Sequence, residues 1–278
     1  MPGAAGEIKM SASFKTTADR RCSVDSMTTK PTPMLLIPGA WMGAWIWNDT
    51  VARLREAGCP AHTLTLPGLG SDALAGELAA IGLADHVDAT LRAAQAIGRP
   101  LTIVGHSYSG MIAGMVADRA PELVVHTVIV AGFYPRDGRC LLDDWGSDAD
   151  ERASERADIE RAGMIWAAPP SEGLEADAGL DPEQARWLGR RLRPHPGRTV
   201  LDPASMQRSI ADRSVTVVAD VGDGDPRSTL PDDLARAEPD GWRFRSIPEG
   251  HWPMLGHPVE LSDTLLEAAT FAASGRNR

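Results

Sequence analysis

Cysteine is scarce: Cys22, Cys59 and Cys140 are the only three in 278 residues. They are too few and too scattered for a disulfide framework, and no CxxC pair suggests zinc or thiol redox chemistry. No stretch approaches the eighteen or so consecutive apolar residues of a membrane span. Arg20-Arg21 is not followed by an apolar run, so neither a Sec nor a twin-arginine signal is indicated and a cytoplasmic location is expected. Positive charge is also short, with 28 basic against 38 acidic side chains and a net charge of −10, which gives no footprint for nucleic acid or an anionic bilayer. What remains is an ordinary globular composition, 43% hydrophobic and 24% charged, large enough for one sizeable core.

Residues 1–33 are rich in Ser, Thr, Lys, Pro and Gly, lack periodicity and read as a disordered leader, within which Met27 offers an alternative start. From Met34 onward short apolar runs alternate with helical segments, the pattern of a doubly wound α/β fold with a mostly parallel sheet. Six strands are expected: Met34–Ile37, Ala61–Leu66, Leu101–Val104, Thr127–Ala131, Val215–Ala219 and Trp242–Ile247. Asp85 is expected to cap a helix that carries Val87, Leu91, Ala94 and Ile97 on one face and stops at Gly98. Between Pro135 and about Arg213 the alternation stops, and helical patterning without strands predicts a cap inserted into a core made of 34–134 and 214–278.

Gly105-His106-Ser107-Tyr108-Ser109 follows an apolar strand and precedes a small-residue helix, the setting of a nucleophile elbow. Small residues two positions either side of Ser107 let strand and helix approach, so that its Oγ projects from a strained turn. Glu249-Gly250-His251 comes directly after the last strand, where the general base of such a serine belongs. His62, His86, His126, His195 and His257 follow no strand in a matching position and are expected to be surface histidines in turns. The loop after Val215–Ala219 supplies an acid in the order Ser, Asp, His. Asp225 is favoured there because Gly224 and Pro226 set it on the outer turn, with Asp223 second and Asp220 third. The loop lacks the alternating ligands and terminal Glu of an EF-hand, so no metal is expected. At the end of the first strand, the Gly-rich turn Pro38-Gly39-Ala40-Trp41 places Ala40 N–H as one oxyanion donor, and Tyr108 N–H, just after the nucleophile, as the other.

These motifs resemble the α/β-hydrolase superfamily, in particular the branch of bacterial esterase-like hydrolases and plant methylesterases that also contains plant hydroxynitrile lyases. The resemblance covers about residues 34–270. Pro38-Gly39-Ala40-Trp41 with Gly43-Ala44-Trp45 is similar to the HGAW…GAW oxyanion segment, Leu64–Gly70 to LTLTGLG, Gly105–Gly110 to GHSYGG, and Gly250-His251-Trp252-Pro253-Met254 to the late GH-x-x-M. Two positions depart from the pattern: Pro38 stands for His and Ser109 for Gly. Some relatives carry an Asp where this chain has Ala131, which leaves the 220–225 loop to supply the acid.

The resemblance implies an ester or lactone hydrolase that needs no cofactor and acts through an acyl-enzyme. A lyase of this branch would look to a Lys beside the catalytic His, where Trp252 stands instead. An Asp-nucleophile dehalogenase or epoxide hydrolase is opposed by Ser107, and a non-catalytic ligand-binding protein by the complete Ser, His and Asp set. Trp145, Met164, Trp166 and Trp187 in the insertion, with Trp41 and Trp252 near the site, suggest an apolar or aromatic substrate group. The expected partner is therefore a small-molecule ester or lactone, with the protein a monomer or homodimer.

Overall fold

The computed structural model describes residues 30–70, 75–237, 239 and 241–275; most of the expected leader, with Cys22 and Met27, lies outside the described residues. Six parallel strands form one sheet: β1 (Met34–Ile37), β2 (Ala61–Thr63), β3 (Leu101–His106), β4 (Val124–Val130), β7 (Val215–Ala219) and β8 (Arg243–Ser246). Their order across the sheet is β2-β1-β3-β4-β7-β8. Two further strands, β5 (Ile165–Trp166) and β6 (His195–Pro196), pair antiparallel as a separate ribbon.

Side-chain alternation along a strand makes the sheet two-faced. Leu35 and Ile37 of β1 and Ile103 of β3 share one buried cluster with Val87 and Ala94 of helix Leu83–Ile97 and with Ile112 and Val116 of helix Ser109–Arg119. Met34 and Leu36, on the opposite face, join Val51 and Leu54 of helix Asn48–Glu56 and Leu261 and Leu265 of helix Pro258–Gly275. Strands covered on both sides are mostly apolar, which makes β1, β3 and β7 legible as runs in the sequence.

Differences from the expected elements have local causes. The edge strand β2 ends at Thr63 because the chain peels away into the Leu66–Leu69 turn, where Gly68 has φ 81°. β4 begins earlier than expected, at Val124; it runs through His126, whose two ring nitrogens bond Ser214 Oγ and Thr216 Oγ1, each at 2.8 Å. Asp85 is not the residue before the helix. It sits in the first turn and its Oδ2 accepts from Gly82 N–H at 2.8 Å, while Gly98 ends the helix at φ 73° as anticipated. Thr32, within the expected leader, is buried and bonds Thr102 Oγ1 at 2.6 Å, so the packed body begins before Met34.

The segment between β4 and β7 contains helices Ala149–Arg161 and Pro182–Gly189 and also the β5–β6 ribbon. Two residues per strand, one of them Pro196, are too few to leave a period-two pattern, which explains why no strand was legible there. None of the described helices is long and apolar enough to cross a membrane.

Candidate active site

The carboxyl ends of β1, β3, β7 and β8 bring the expected chemistry together. Ser107 follows β3 directly and adopts φ 52°, a left-handed conformation that a non-glycine residue holds only when its surroundings enforce it. The enforcement is visible in Gly105, where a Cβ would lie 2.2 Å from the Ser109 carbonyl oxygen. Gly110 is equally crowded, its Cβ position lying 2.4 Å from the Phe133 carbonyl oxygen. The spacing of small residues therefore reflects backbone packed on backbone.

His251 Nε2 lies 3.0 Å from Ser107 Oγ. Two bonds hold the His251 backbone: its N–H donates to Asp177 Oδ2 at 2.8 Å, and its carbonyl accepts from His106 Nε2 at 2.7 Å. Neither Asp177 nor His106 was singled out from the sequence. Asp177 sits in the divergent insertion, where nothing local marks it, whereas His106 could have been found as the residue just before the nucleophile. Burial, reinforced by the nearby His251 ring, lowers the His106 pKa to about 3, so it is neutral, and with Nε2 donating its Nδ1 is an acceptor with no partner among the described residues.

The carboxylate that lies beside His251 is not the expected one. Asp225 caps the short turn Pro226–Thr229, its Oδ1 accepting from Arg227 N–H at 2.9 Å, and faces solvent rather than His251. Asp223 is exposed as well. Asp220, ranked third, is the carboxylate beside the ring, with Oδ2 3.9 Å from His251 Nδ1. The reason is register: Ala219 pairs with Ser246, and Gly222 N–H bonds the Ile247 carbonyl at 2.9 Å, so the first residue past β7 meets the loop past β8. Burial alone would raise the Asp220 carboxyl, but the facing His251 ring, together with the residue's own backbone and the His106 ring, outweighs burial and holds the group below the ordinary carboxylate range.

The turn after β1 packs against the elbow. A Cβ on Gly39 would lie 3.0 Å from Ser107 Cβ, so Gly39 permits the contact. Ser109 Oγ donates to the Pro38 carbonyl at 2.5 Å, tying turn to elbow. Neither Ala40 N–H nor Tyr108 N–H has an acceptor among the described residues.

A cavity of about 640 Å³ opens above Ser107 and His251 and is walled by Trp41, Trp145, Trp166, Trp252, Ile159 and Ile165. Glu155 and Asp158 are its only acidic lining side chains, and no Lys or Arg lines it. Two expected pocket residues are elsewhere. Met164 packs against the main core at the left-handed turn after helix Ala149–Arg161, with φ 63°. Trp187 lies edge-on to Trp45 at 5.3 Å under the Arg191 guanidinium and lines a separate groove. Three histidines expected on the surface are not there either: His86, His126 and His195 are buried, each satisfied by hydrogen bonds that its position in the chain does not reveal.

Comparison with known proteins agrees with the fold. The alpha/beta hydrolase family matches residues 34–264. A carbendazim hydrolyzing esterase from Nocardioides sp. (strain SG-4G) is 29% identical over 242 residues, 83% of this chain and 97% of its own. Among solved structures, an extracellular α/β-hydrolase from a Paenibacillus species superposes with a TM-score of 0.71 at 17% identity, covering 86% of this chain and 99% of that one. A methylesterase from Arabidopsis superposes at 0.66 and 16% identity, covering 86% and 99%. With the strand order, the strained serine turn and a family match over most of its length, the chain belongs to the alpha/beta hydrolase family.

Proposed function

We propose that this protein is a serine esterase that hydrolyses small, neutral, apolar or aromatic carboxylic esters or lactones through an acyl-enzyme. The observation that carries the reading is the 3.0 Å approach of His251 Nε2 to Ser107 Oγ at the floor of a tryptophan-walled cavity.

In this reading His251 takes the Ser107 proton as Oγ attacks the acyl carbon. The oxyanion that forms is held by Ala40 N–H and Tyr108 N–H, which flank the nucleophile and have no acceptor among the described residues. His251 returns the proton to the departing alcohol, and water then repeats the sequence on the acyl-enzyme to release the acid and free Ser107. Asp220 orients the ring: with Nε2 accepting from the serine, the remaining proton is on Nδ1, facing the carboxylate. The 3.9 Å separation is too long for a hydrogen bond in the unliganded site and would close as positive charge develops on the imidazole. The insertion, acting as a cap, supplies Trp145 and Trp166 to the cavity and so shapes the substrate.

The test pairs turnover with labelling. Purified protein should release p-nitrophenol from p-nitrophenyl acetate with a stoichiometric burst, and a fluorophosphonate should add a single label at Ser107. Ser107→Ala should abolish both. Turnover that survives Ser107→Ala, or a label elsewhere, would remove the assignment.

A further inference from the structure

Resting on the esterase reading, we propose that His195, in the insertion, is a positioning residue for the oxyanion turn. The insertion would then complete the catalytic apparatus as well as covering it.

The argument starts at Trp41. Its φ is 65°, a left-handed backbone that tryptophan adopts only under constraint. The constraint comes from the β5–β6 ribbon and from Arg193, just before β6. Trp41 N–H donates to His195 Nδ1 at 3.2 Å, its carbonyl accepts from Arg193 N–H at 2.9 Å, and its indole Nε1–H donates to the Trp166 carbonyl at 3.3 Å. Trp166 and His195 are themselves partners across the ribbon, and the Trp41 and Trp166 rings lie 4.2 Å apart. The peptide fixed by His195 is the one joining Ala40 to Trp41, so holding it sets ψ of Ala40, one rotation from the Ala40 N–H.

The His195 ring has no freedom to answer differently. A backbone N–H can only donate, so Nδ1 must accept and the proton belongs to Nε2. Nε2–H in turn donates to Thr199 Oγ1 at 2.9 Å, and the Thr199 hydroxyl donates to the Pro196 carbonyl at 2.7 Å. Complete burial holds the imidazole neutral, its pKa well below the ordinary value. The same ring stands 4.9 Å from that of Tyr108, edge to face, and Tyr108 carries the second N–H. Tyr108 is fixed from its far side, its hydroxyl donating to His86 Nδ1 at 2.9 Å while His86 Nε2–H donates to the Pro67 carbonyl at 2.8 Å. One imidazole from the insertion therefore touches Tyr108, which carries one of the two proposed oxyanion donors, and holds the Trp41 N–H of the peptide that follows Ala40, which carries the other.

The experiment compares His195→Asn with His195→Leu. Asparagine places its Oδ1 the same number of bonds from the backbone as Nδ1, so it keeps an acceptor for Trp41 N–H; leucine has similar bulk and none. With p-nitrophenyl acetate, His195→Leu should lower kcat about 10- to 100-fold with KM changed less than threefold, and His195→Asn should recover at least tenfold of any larger loss, or most of a smaller one. Melting temperature should fall alike in the two, since both lose the aromatic contacts. Equal kcat for the two variants, or a loss confined to KM, would overturn the proposal. If His195→Leu does not fold, Thr199→Val gives the second measurement: freeing Nε2 loosens the ring, and kcat should fall several-fold at constant KM, an unchanged kcat again overturning it. Wild-type turnover with indistinguishable variants would sink the His195 role alone, whereas no wild-type turnover would sink the esterase reading with it.

Discussion

Ser109 Oγ donates to the Pro38 carbonyl at 2.5 Å, joining the two positions at which this chain departs from the motifs it resembles. Ser109 is fully buried, and its own backbone carbonyl lies where a Cβ on Gly105 would collide. A serine fits the elbow because only the helix backbone meets Gly105, leaving the hydroxyl to cross to the oxyanion turn. Removing it strands a buried carbonyl, which costs about 1–3 kcal/mol. Ser109→Ala should therefore lower stability by that amount in urea unfolding with an unchanged m-value, and Ser109→Gly somewhat more. A stability within 0.5 kcal/mol of wild type, about the reach of a neutral surface substitution, would show that the bond contributes nothing.

Asp220 should be the carboxylate on which turnover depends. Asp220→Asn loses the charge that stabilises the imidazolium and should cost between about 10² and 10⁴ in kcat, the upper end being that of a fully engaged triad acid. Asp225→Asn, which disturbs only a surface cap, should leave kcat within about twofold. A larger loss from Asp225→Asn than from Asp220→Asn would reverse the assignment.

This pair of aspartates marks how far the sequence could be read. Ser107, His251 and the sheet were legible because each depends on a local pattern, an apolar run ending in a small-residue turn or a conspicuous Gly-His after the last strand. The choice among Asp220, Asp223 and Asp225 depends on how Ala219 registers against Ser246, a non-local pairing that no window of sequence contains. Asp177 and His195 were illegible for the same reason: each acts on a residue far away in the chain, the one on the His251 N–H and the other on the Trp41 N–H. The tryptophans divide likewise. Trp145 and Trp166 face the cavity and Trp187 does not, a difference set by how the insertion folds rather than by its composition.

Buried neutral histidines give the protein an acid limit. Burial lowers His86 to about 4, His126 to about 4 and His106 to about 3, and puts His195 well below its ordinary value. In the unfolded chain each returns to about 6.5, so below that pH the unfolded state binds protons that the folded state does not, and stability falls as pH falls. Each group contributes a slope approaching about 1.4 kcal/mol per pH unit. The urea midpoint should be flat above pH 7 and drop steeply from pH 6.5 toward 4. His126→Gln, remote from Ser107, should reduce the slope by about one proton. A midpoint constant from pH 7 to 5 would contradict the buried neutral state.

Charge should discriminate among esters of equal bulk. Glu155 and Asp158 line the cavity and no Lys or Arg does, within a chain of net charge −10. Glu155 also accepts from Trp166 Nε1–H at 2.5 Å, which holds its carboxyl at the wall. An aryl ester carrying a carboxylate should show a kcat/KM about tenfold or more below its neutral methyl analogue at low salt, with the gap narrowing as screening increases. Glu155→Gln keeps an acceptor for Trp166 while removing the charge and should narrow the gap as well. Equal rates for the two esters would show that the carboxylates do not reach the bound substrate.

Trp145 and Trp187 offer a direct test of which aromatic surface selects substrate. Trp145 lies edge-on to Trp166 at 5.0 Å and lines the cavity with Ser107, whereas Trp187 packs on Trp45 in the separate groove. A side chain that lines a site contributes binding that a small substrate never uses, so its loss falls on KM for the large substrate. Truncating an aromatic that buries 150–250 Å² removes several kcal/mol of contact in the limit, but partial exposure and pocket relaxation reduce this to about 1–2 kcal/mol. Trp145→Ala should therefore raise KM for a naphthyl ester about 5- to 30-fold while changing kcat for an acetate ester less than threefold. Trp187→Ala should lower the melting temperature but leave the ratio of naphthyl to acetate kcat/KM unchanged. If Trp187→Ala moved that ratio and Trp145→Ala did not, the groove beside Trp45 would be the substrate site and the cavity over Ser107 would not.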